Sequence, residues 1–258
     1  MIDPAANGFL HSNASGNGAK DSSVSKITQL YAELELFSLG EPPQHTLFIL
    51  DRTLAAAIAA AEPAQEQLLV IDPPVDVAQR FRLADDTAAL FTGEQQPVGL
   101  PLVETRPGGV AHLRVGQHFL DLYSQRHTNI ICLPALNILC GGDFGSDACL
   151  PAVATGSNGD DELETLRLLA RLVKQRPLQL YIPRVGALSK NAVEVMERLA
   201  ANVAYLHSLR RALLPLAQRQ APLTEITALA PSLLPAAYRA TNETRHLENL
   251  RRLYIGLR

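Results

Sequence analysis

The sequence predicts a mixed α/β protein of the α+β kind, with strands in its first half and helices in its second. The chain has 258 residues, of which 47% are hydrophobic, so it can bury a large core within one sizeable domain. Up to Tyr123, short alternating or apolar segments are separated by Pro- and Gly-rich turns, a pattern typical of strands. After Asp160, apolar residues recur with a period near 3.6, which is typical of amphipathic helices.

The first half is predicted to contain six strands and one helix. Met1–Ser25 is rich in Asn, Gly, Ser and Ala and is expected to be a flexible leader, because it has too few large apolar residues to offset the entropy of ordering. An Ala-rich helix is expected over Leu54–Ala61, ended by Glu62-Pro63. The remaining segments are predicted strands: Leu30–Phe37, His45–Leu50, Gln67–Ile71, Ala88–Thr92, Val110–Val115 and His118–Tyr123.

The second half begins with a predicted hairpin, Asn129–Leu133 and Leu136–Cys140, which runs into Gly141-Gly142-Asp143. Two glycines before an aspartate allow backbone conformations that other residues resist, which suits a functional loop. A buried strand is predicted at Leu178–Ile182. Ser189 is expected to cap a long helix that ends near Leu214. The other predicted helices are Asp160–Gln175, Thr224–Ala230 and Ala236–Tyr254.

Charge and cysteine content restrict the class of protein. The net charge of -3 gives no general case for nucleic acid, but residues 189–258 hold 10 basic and 5 acidic residues, which leaves 13 basic and 21 acidic residues in the rest. This basic tail either attracts an acidic partner or lies on its own acidic body. Three cysteines without a CxxC pair favour a reducing cytoplasm. We find no signal peptide and no apolar run of membrane-spanning length, so we expect no membrane partner.

Four segments, taken in order, resemble the motifs of the metallo-β-lactamase fold superfamily. The first resembles its Leu-Ile-Asp-Pro/Thr-Gly turn, the second its Pro-Gly-His-Thr element, the third its Gly-Asp pair and the fourth its Pro-x-His-Gly strand end. They are Val70-Ile71-Asp72-Pro73, Ser124-Gln125-Arg126-His127-Thr128, Gly142-Asp143 and Ile182-Pro183-Arg184-Val185-Gly186. The last helices resemble the winged-helix-like tail of the lactamase-like hydrolase and endoribonuclease subgroup, and the likeness runs from about Leu68 to the C-terminus.

The resemblance implies a four-layer αββα sandwich, reduced in its first half, with a metal site at one edge of its two sheets. It divides the chain into a leader (1–25), a sandwich (26–188) and a helical tail (189–258). It makes His127 a candidate metal ligand, and Asp143 the candidate carboxylate that bridges two metals. The third-histidine position of the family is Val185, which cannot bind a metal.

The family's His-x-His-x-Asp-His loop has no match in this sequence, whose seven histidines include no His-x-His pair. The interval from Asp72 to His127 also looks too short for the strand, loop and helix that carry this motif, so we expect the whole unit to be lost. A catalytic zinc needs at least three protein ligands, and His127 with Asp143 supplies two. The candidate remnant site is His127, Asp143, Asp72 and Asp147.

Two further interpretations of these residues remain open. A mononuclear site would have to recruit Asp147, His118 or Asp121, but His118 and Asp121 point to opposite faces of a strand. In a protein without metal, His127 and Asp143 would instead hydrogen-bond each other or nearby backbone.

Other chemistries are less well supported by the sequence. Ser124 and Ser146 have no positioned base beside them in the sequence. Gly141–Gly145 is not a phosphate-binding P-loop, because no Lys-Ser/Thr follows.

We therefore predict a degenerate member of the superfamily that acts in binding or assembly, through the old active-site edge, with a protein partner or a second copy of itself. No cofactor is expected under this hypothesis. The alternative is a hydrolase of a thioester, phosphodiester or lactone that uses zinc, iron or manganese at His127 and Asp143. A third hypothesis is nucleic-acid binding through the basic tail.

Overall fold

A computed structural model describes residues 25–31, 33–49, 69–81, 83, 87–238 and 241–258. The predicted helix Leu54–Ala61 lies outside these residues, as does the predicted leader apart from Ser25. The predicted domain limits stay a prediction.

The described residues give the first sheet five strands, in the order β1-β2-β3-β4-β5. They are β1 (Ser25–Tyr31), β2 (Leu34–Leu39), β3 (Gln44–Ile49), β4 (Leu69–Ile71) and β5 (Ala88–Leu90). Neighbours are antiparallel except β4 and β5, which are parallel and are connected through the short helix α1 (Val77–Arg80). The prediction of one strand over Leu30–Phe37 is wrong, because the chain reverses there and pairs Tyr31 with Leu34. Alternation of apolar and polar residues continues through the reversal, so the pattern alone does not reveal it.

The second sheet also has five strands, in the order β10-β9-β8-β7-β6. They are β6 (Val110–Val115), β7 (His118–Ser124), β8 (Asn129–Leu133), β9 (Ile138–Gly142) and β10 (Leu180–Pro183). The predicted hairpin is confirmed as β8 and β9, with Leu133 opposite Ile138. β9 and β10 are parallel, and α2 (Asp160–Gln175) connects them as the sequence predicts.

After β10 the described residues form helices and no further strand. These are α3 (Ala192–Gln218), α4 (Leu223–Leu233), a 3₁₀ turn (Ala236–Tyr238) and α5 (Glu243–Leu257). The prediction that Ser189 caps α3 is wrong, because the side chain of Asn191 accepts the hydrogen bond from the backbone N–H of Val193. Ser189 instead accepts from the backbone N–H of Asn191 and donates to Glu194.

In the part of the chain that the structure describes, three hydrophobic cores separate four layers. The central core lies between the sheets, where Leu36 and Leu47 of the first sheet meet Ile131 of the second. The outer face of the first sheet packs with Val77 of α1. The outer face of the second sheet, including Ile130, packs with α2 to α5. The neighbouring residues Ile130 and Ile131 belong to different cores because successive side chains of a strand point to opposite faces. The predicted αββα sandwich is confirmed.

The ends of both parallel strand pairs meet at one edge of the sandwich. Asp72 follows β4, Thr92 lies beyond β5, and Asp143 and Arg184 follow β9 and β10. Backbone hydrogen bonds fasten the end of β10 to the first sheet, from His45 N to Arg184 O (2.8 Å) and from Gly186 N to Pro43 O (2.8 Å). Among the helices of the described ranges, none has the length and apolar content that a membrane span requires.

Candidate functional site

Asp143 is the centre of the edge at which the predicted ligands lie. Asp143 is 6% exposed. Its Oδ1 lies 2.7 Å from Nη2 of Arg184 and 3.2 Å from Nη1 of Arg245. Gly142 directs the chain into this position with a φ of +61°, a conformation that favours glycine. Its missing Cβ also leaves room for Thr92, whose Oγ1 would lie 2.9 Å from it. The carboxylate that the resemblance assigns to two metals is therefore paired with two guanidinium groups.

Arg184 is held at this position by the backbone as well as by charge. Its backbone N–H donates to the carbonyl oxygen of Gly142 at 2.8 Å, and its side chain is 19% exposed. Burial disfavours the charged guanidinium, but the carboxylates of Asp143 and Asp72 outweigh burial and raise the pKa of Arg184. The charge of Arg184 is thus a permanent part of the site.

Asp72 is the second carboxylate of the cluster. Its Oδ1 accepts from the backbone N–H of Thr92 at 2.8 Å, and its Oδ2 accepts from the Thr92 hydroxyl at 2.5 Å. Burial raises the pKa of Asp72 from 3.8 to about 6, against the attraction of Arg184 and the hydrogen bonds from Thr92. Desolvation is the dominant cause of this shift.

The strand and the loop that were expected to be lost between Asp72 and His127 are present, which corrects this part of the expectation. The described residues of the segment form α1, β5, a loop that begins at Phe91, and then β6 and β7, and no helix follows β5 among them. The loop brings Gly93 against the cluster, so that a Cβ there would lie 2.7 Å from Asp143 Oδ2. If the His-x-His-x-Asp-His spacing is started at Gly93, its four ligand positions hold Gly93, Gln95, Pro97 and Val98.

His127 shares a cavity with Asp143 but does not hydrogen-bond it. Its Nε2 lies 3.9 Å from Asp161 Oδ2 and, although buried, has no hydrogen-bond partner. Of the two arrangements expected in a protein without metal, the bond between His127 and Asp143 is therefore absent, because two arginines contact the carboxylate. The cavity, which we call the histidine pocket, has a volume of about 440 Å³ and is also lined by Gln95, Arg126 and Arg252.

The other predicted site residues have structural partners. Asp147 Oδ1 accepts from the backbone N–H of Ala187 at 2.7 Å, and the carbonyl oxygen of Val185 accepts from the Ser146 hydroxyl at 2.6 Å. Asp121, considered for a mononuclear site, pairs with His112 Nδ1 at 2.8 Å. Neither Asp121 nor His118 lines the histidine pocket.

A polar face of α5 positions Arg245. Asn249 accepts from Val153 N (2.9 Å) and donates to Pro151 O (2.8 Å), while Arg245 and Arg252 donate to Leu150 O and Val153 O. These side chains satisfy backbone groups of a segment that belongs to no helix or strand, as buried backbone requires. The helix is thereby fixed so that Arg245 reaches Asp143.

A second cavity adjoins the cluster. This arginine pocket has a volume of about 200 Å³ and is lined by both Arg184 and Arg245. Asp72 and Val185 also line it, together with the aromatic ring of Phe91.

The residues of this edge do not fit a resident metal. Within the described ranges, no group of three or more His, Cys, Asp or Glu side chains is placed to hold an ion. Asp143 is occupied by two cations, and Asp72 accepts two hydrogen bonds from Thr92. A zinc site would need three or four free N, O or S donors around one point.

Sequence reasoning missed Arg184, Arg245, Thr92 and Gly93. A signal was present for Arg184, which directly precedes the lost histidine position at Val185. For Arg245 no local signal exists, because its partner lies 102 residues away in the chain.

Several arginines of the basic tail pair with acids of the body. Arg210 Nη1 lies 2.5 Å from Asp160, Arg245 Nη1 lies 3.2 Å from Asp143, and Arg252 Nη2 lies 3.4 Å from Glu94. This arrangement accounts for part of the charge asymmetry without an external partner.

Comparison with solved structures shows the metallo-β-lactamase fold. The chain is similar to the stereoselective inverting sec-alkylsulfatase from Pseudomonas sp., with a TM-score of 0.58 and 12% identity, over 90% of this chain and 50% of that one. It is also similar to a β-lactamase domain protein from Burkholderia ambifaria, with a TM-score of 0.53 and 11% identity, over 88% of this chain and 86% of that one. The chain thus spans about half the length of the sulfatase. No protein-family model and no curated protein sequence matches it.

Proposed function

We propose that this chain of metallo-β-lactamase fold acts by binding or assembly through the old active-site edge, and does not act as a metal-dependent hydrolase. The observation that carries the proposal is the guanidinium of Arg184 at 2.7 Å from Asp143. A buried carboxylate needs a positive partner, and here arginine supplies the charge that a metal ion would supply. A divalent ion at Asp143 would be repelled by Arg184 and Arg245.

Two further features support the proposal. Gly93 lies against Asp143, and a side chain at that position would collide with the carboxylate. Val185 stands at the third-histidine position. The sulfatase activity of the Pseudomonas protein is not transferred, because 12% identity carries the fold alone.

The deciding experiment is equilibrium dialysis of the purified protein against zinc, iron(II) or manganese(II), followed by elemental analysis. We expect less than about 0.1 ion per chain after removal of free metal. One or more ions per chain, lost in Asp143→Asn, would overturn the proposal. The control variant is Arg219→Gln, because Arg219 pairs with Glu225 and both side chains are exposed.

A second candidate function is a metal-dependent hydrolase with a reduced site. The observation that favours it is the buried His127 Nε2, which has no hydrogen-bond partner and belongs to a residue that lines a cavity with Asp143. This candidate predicts that His127→Ala lowers metal content and hydrolysis of thioester, phosphodiester or lactone substrates together. Unchanged values in that variant would remove it.

A further inference from the structure

The arginine pocket combines two cations with an apolar wall and with other polar residues. Arg184 and Arg245 line it together with the apolar wall of Phe37, Leu39 and Phe91, and with Gln44, His45, Thr46, Asp72 and Gln96. Its volume is about 200 Å³, which is room for several water molecules. A small molecule of the size of benzoate matches a pocket of this size.

The two guanidinium groups keep donors free for a ligand. Each guanidinium has five N–H donors. The described contacts use Nη2 of Arg184, on Asp143, and Nη1 of Arg245, on Asp143 and the Leu150 carbonyl oxygen. The remaining N–H groups belong to side chains that line the pocket. Arginine binds planar or tetrahedral oxyanions through such pairs of N–H donors.

The cations are also held in place before a ligand arrives. Asp143 contacts both of them. The Gly142 carbonyl oxygen also accepts from the backbone N–H of Arg184, and the Leu150 carbonyl oxygen accepts from the side chain of Arg245. Preorganised donors lose little entropy on binding. Asp143 neutralises one positive charge, and Asp72 also lines the pocket, with both of its oxygens already bonded to Thr92.

We infer that the arginine pocket binds a small organic oxyanion, a carboxylate or a phosphate or sulfate monoester, with an aromatic or branched apolar body. The anionic group would contact Arg184 and Arg245, and the body would pack on the apolar wall. This inference deepens the proposed function, because it requires that the two arginines, and no metal ion, occupy the neighbourhood of Asp143.

The test uses fluorine NMR of 4-fluorobenzoate and 4-fluorophenyl phosphate, titrated with the full-length protein at pH 6. We expect saturable binding of at least one oxyanion, with a dissociation constant on the order of 0.1–1 mM, and none of the neutral 4-fluorobenzamide. Arg245→Gln is expected to weaken binding by about tenfold or more. Val185→Phe, which fills the pocket without changing its charge, is expected to abolish it.

Arg219→Gln is the control. Arg219 also pairs with a carboxylate (Glu225), but both side chains are exposed and Arg219 lines neither the arginine pocket nor the histidine pocket. Affinity in this variant is expected to stay within about twofold of the parent. Circular dichroism checks that each variant is folded.

Three results would overturn the inference: no binding of either oxyanion at 10-fold the expected dissociation constant, equal binding of the amide, or equal weakening by Arg245→Gln and Arg219→Gln. Absence of binding by metal-free protein would leave the proposed function standing. Stoichiometric metal in the dialysis experiment would instead remove the proposed function itself.

Discussion

Replacement of Arg184 by methionine tests the charge balance of the site. The change keeps much of the side-chain volume and removes the charge that lies 2.7 Å from Asp143. Loss of one partner from a buried ion pair costs roughly 3–5 kcal/mol. Because Arg245 remains 3.2 Å from the same oxygen, we expect a smaller loss of about 2–3 kcal/mol in the free energy of unfolding. For a chain of this size this corresponds to a fall in Tm of about 4–12 °C.

The assay is urea unfolding followed by far-UV circular dichroism, since the chain has no tryptophan. Arg219→Met is the control, because Arg219 and Glu225 form an ion pair in which both side chains are exposed, 57% and 39%, and such pairs contribute about 1 kcal/mol or less. In the double variant with Asp143→Asn, the loss in unfolding free energy should be smaller than the sum of the two single losses by about 1.5 kcal/mol or more. A loss for Arg184→Met no larger than that of the control, or strict additivity with Asp143→Asn, would refute the reasoning.

Three other substitutions test the surroundings of the cluster. The folded-state pKa of Asp72, about 6, lies above its ordinary value of 3.8, so its contribution to stability is complete below pH 3.8 and is lost as pH rises through 6. Asp72→Asn should thus equal the parent near pH 4 and exceed it by about 1–3 kcal/mol at pH 8; lower stability at pH 8 in urea unfolding would contradict this. Asn249→Ala should lower the unfolding free energy by about 2–4 kcal/mol, because it leaves two buried backbone groups unpaired. The control Asn158→Ala removes an exposed hydrogen bond and should lower it by less than about 1 kcal/mol. Equal shifts in Tm would count against the role of α5. Gly93→Ala places a Cβ 2.7 Å from a carboxylate oxygen and should lower the unfolding free energy by about 1–3 kcal/mol, whereas Gly109→Ala, whose Cβ would lie 3.4 Å from its nearest neighbour, should change it by about 0.5 or less.

Many elements of the fold were predictable because hydrophobic periodicity reports local structure, while their arrangement in four layers was implied by the resemblance. β6 and β8 begin and end at the predicted residues, as does α2, since their patterns stop at clear turn residues. The β1–β2 reversal was not predictable, because alternation continues through Tyr31 and Leu34 on both sides of the turn. The capping residue of α3 was misassigned because Ser189 and Asn191 are both good N-cap residues, and only geometry separates them.

The site was predictable in its positions but not in its chemistry. His127 and Asp143 do line one cavity, as the order of motifs implies. Their partners depend on contacts between distant parts of the chain, such as that of Arg245 with Asp143. The length of the segment before His127 suggested a lost loop, but the loop is present with Gly93 at the carboxylate.

Arginine, in place of a metal ion, neutralises Asp143 in this structure. Anomalous X-ray diffraction at the zinc, iron and manganese absorption edges, from crystals grown with each ion, would reveal an ion that binds there instead. We predict no anomalous peak within about 3 Å of the Asp143 carboxylate, and Nη2 of Arg184 in hydrogen-bond contact with Oδ1. A peak about 2.0–2.2 Å from an Asp143 oxygen, with Arg184 displaced and His127 as a second ligand, would contradict the account.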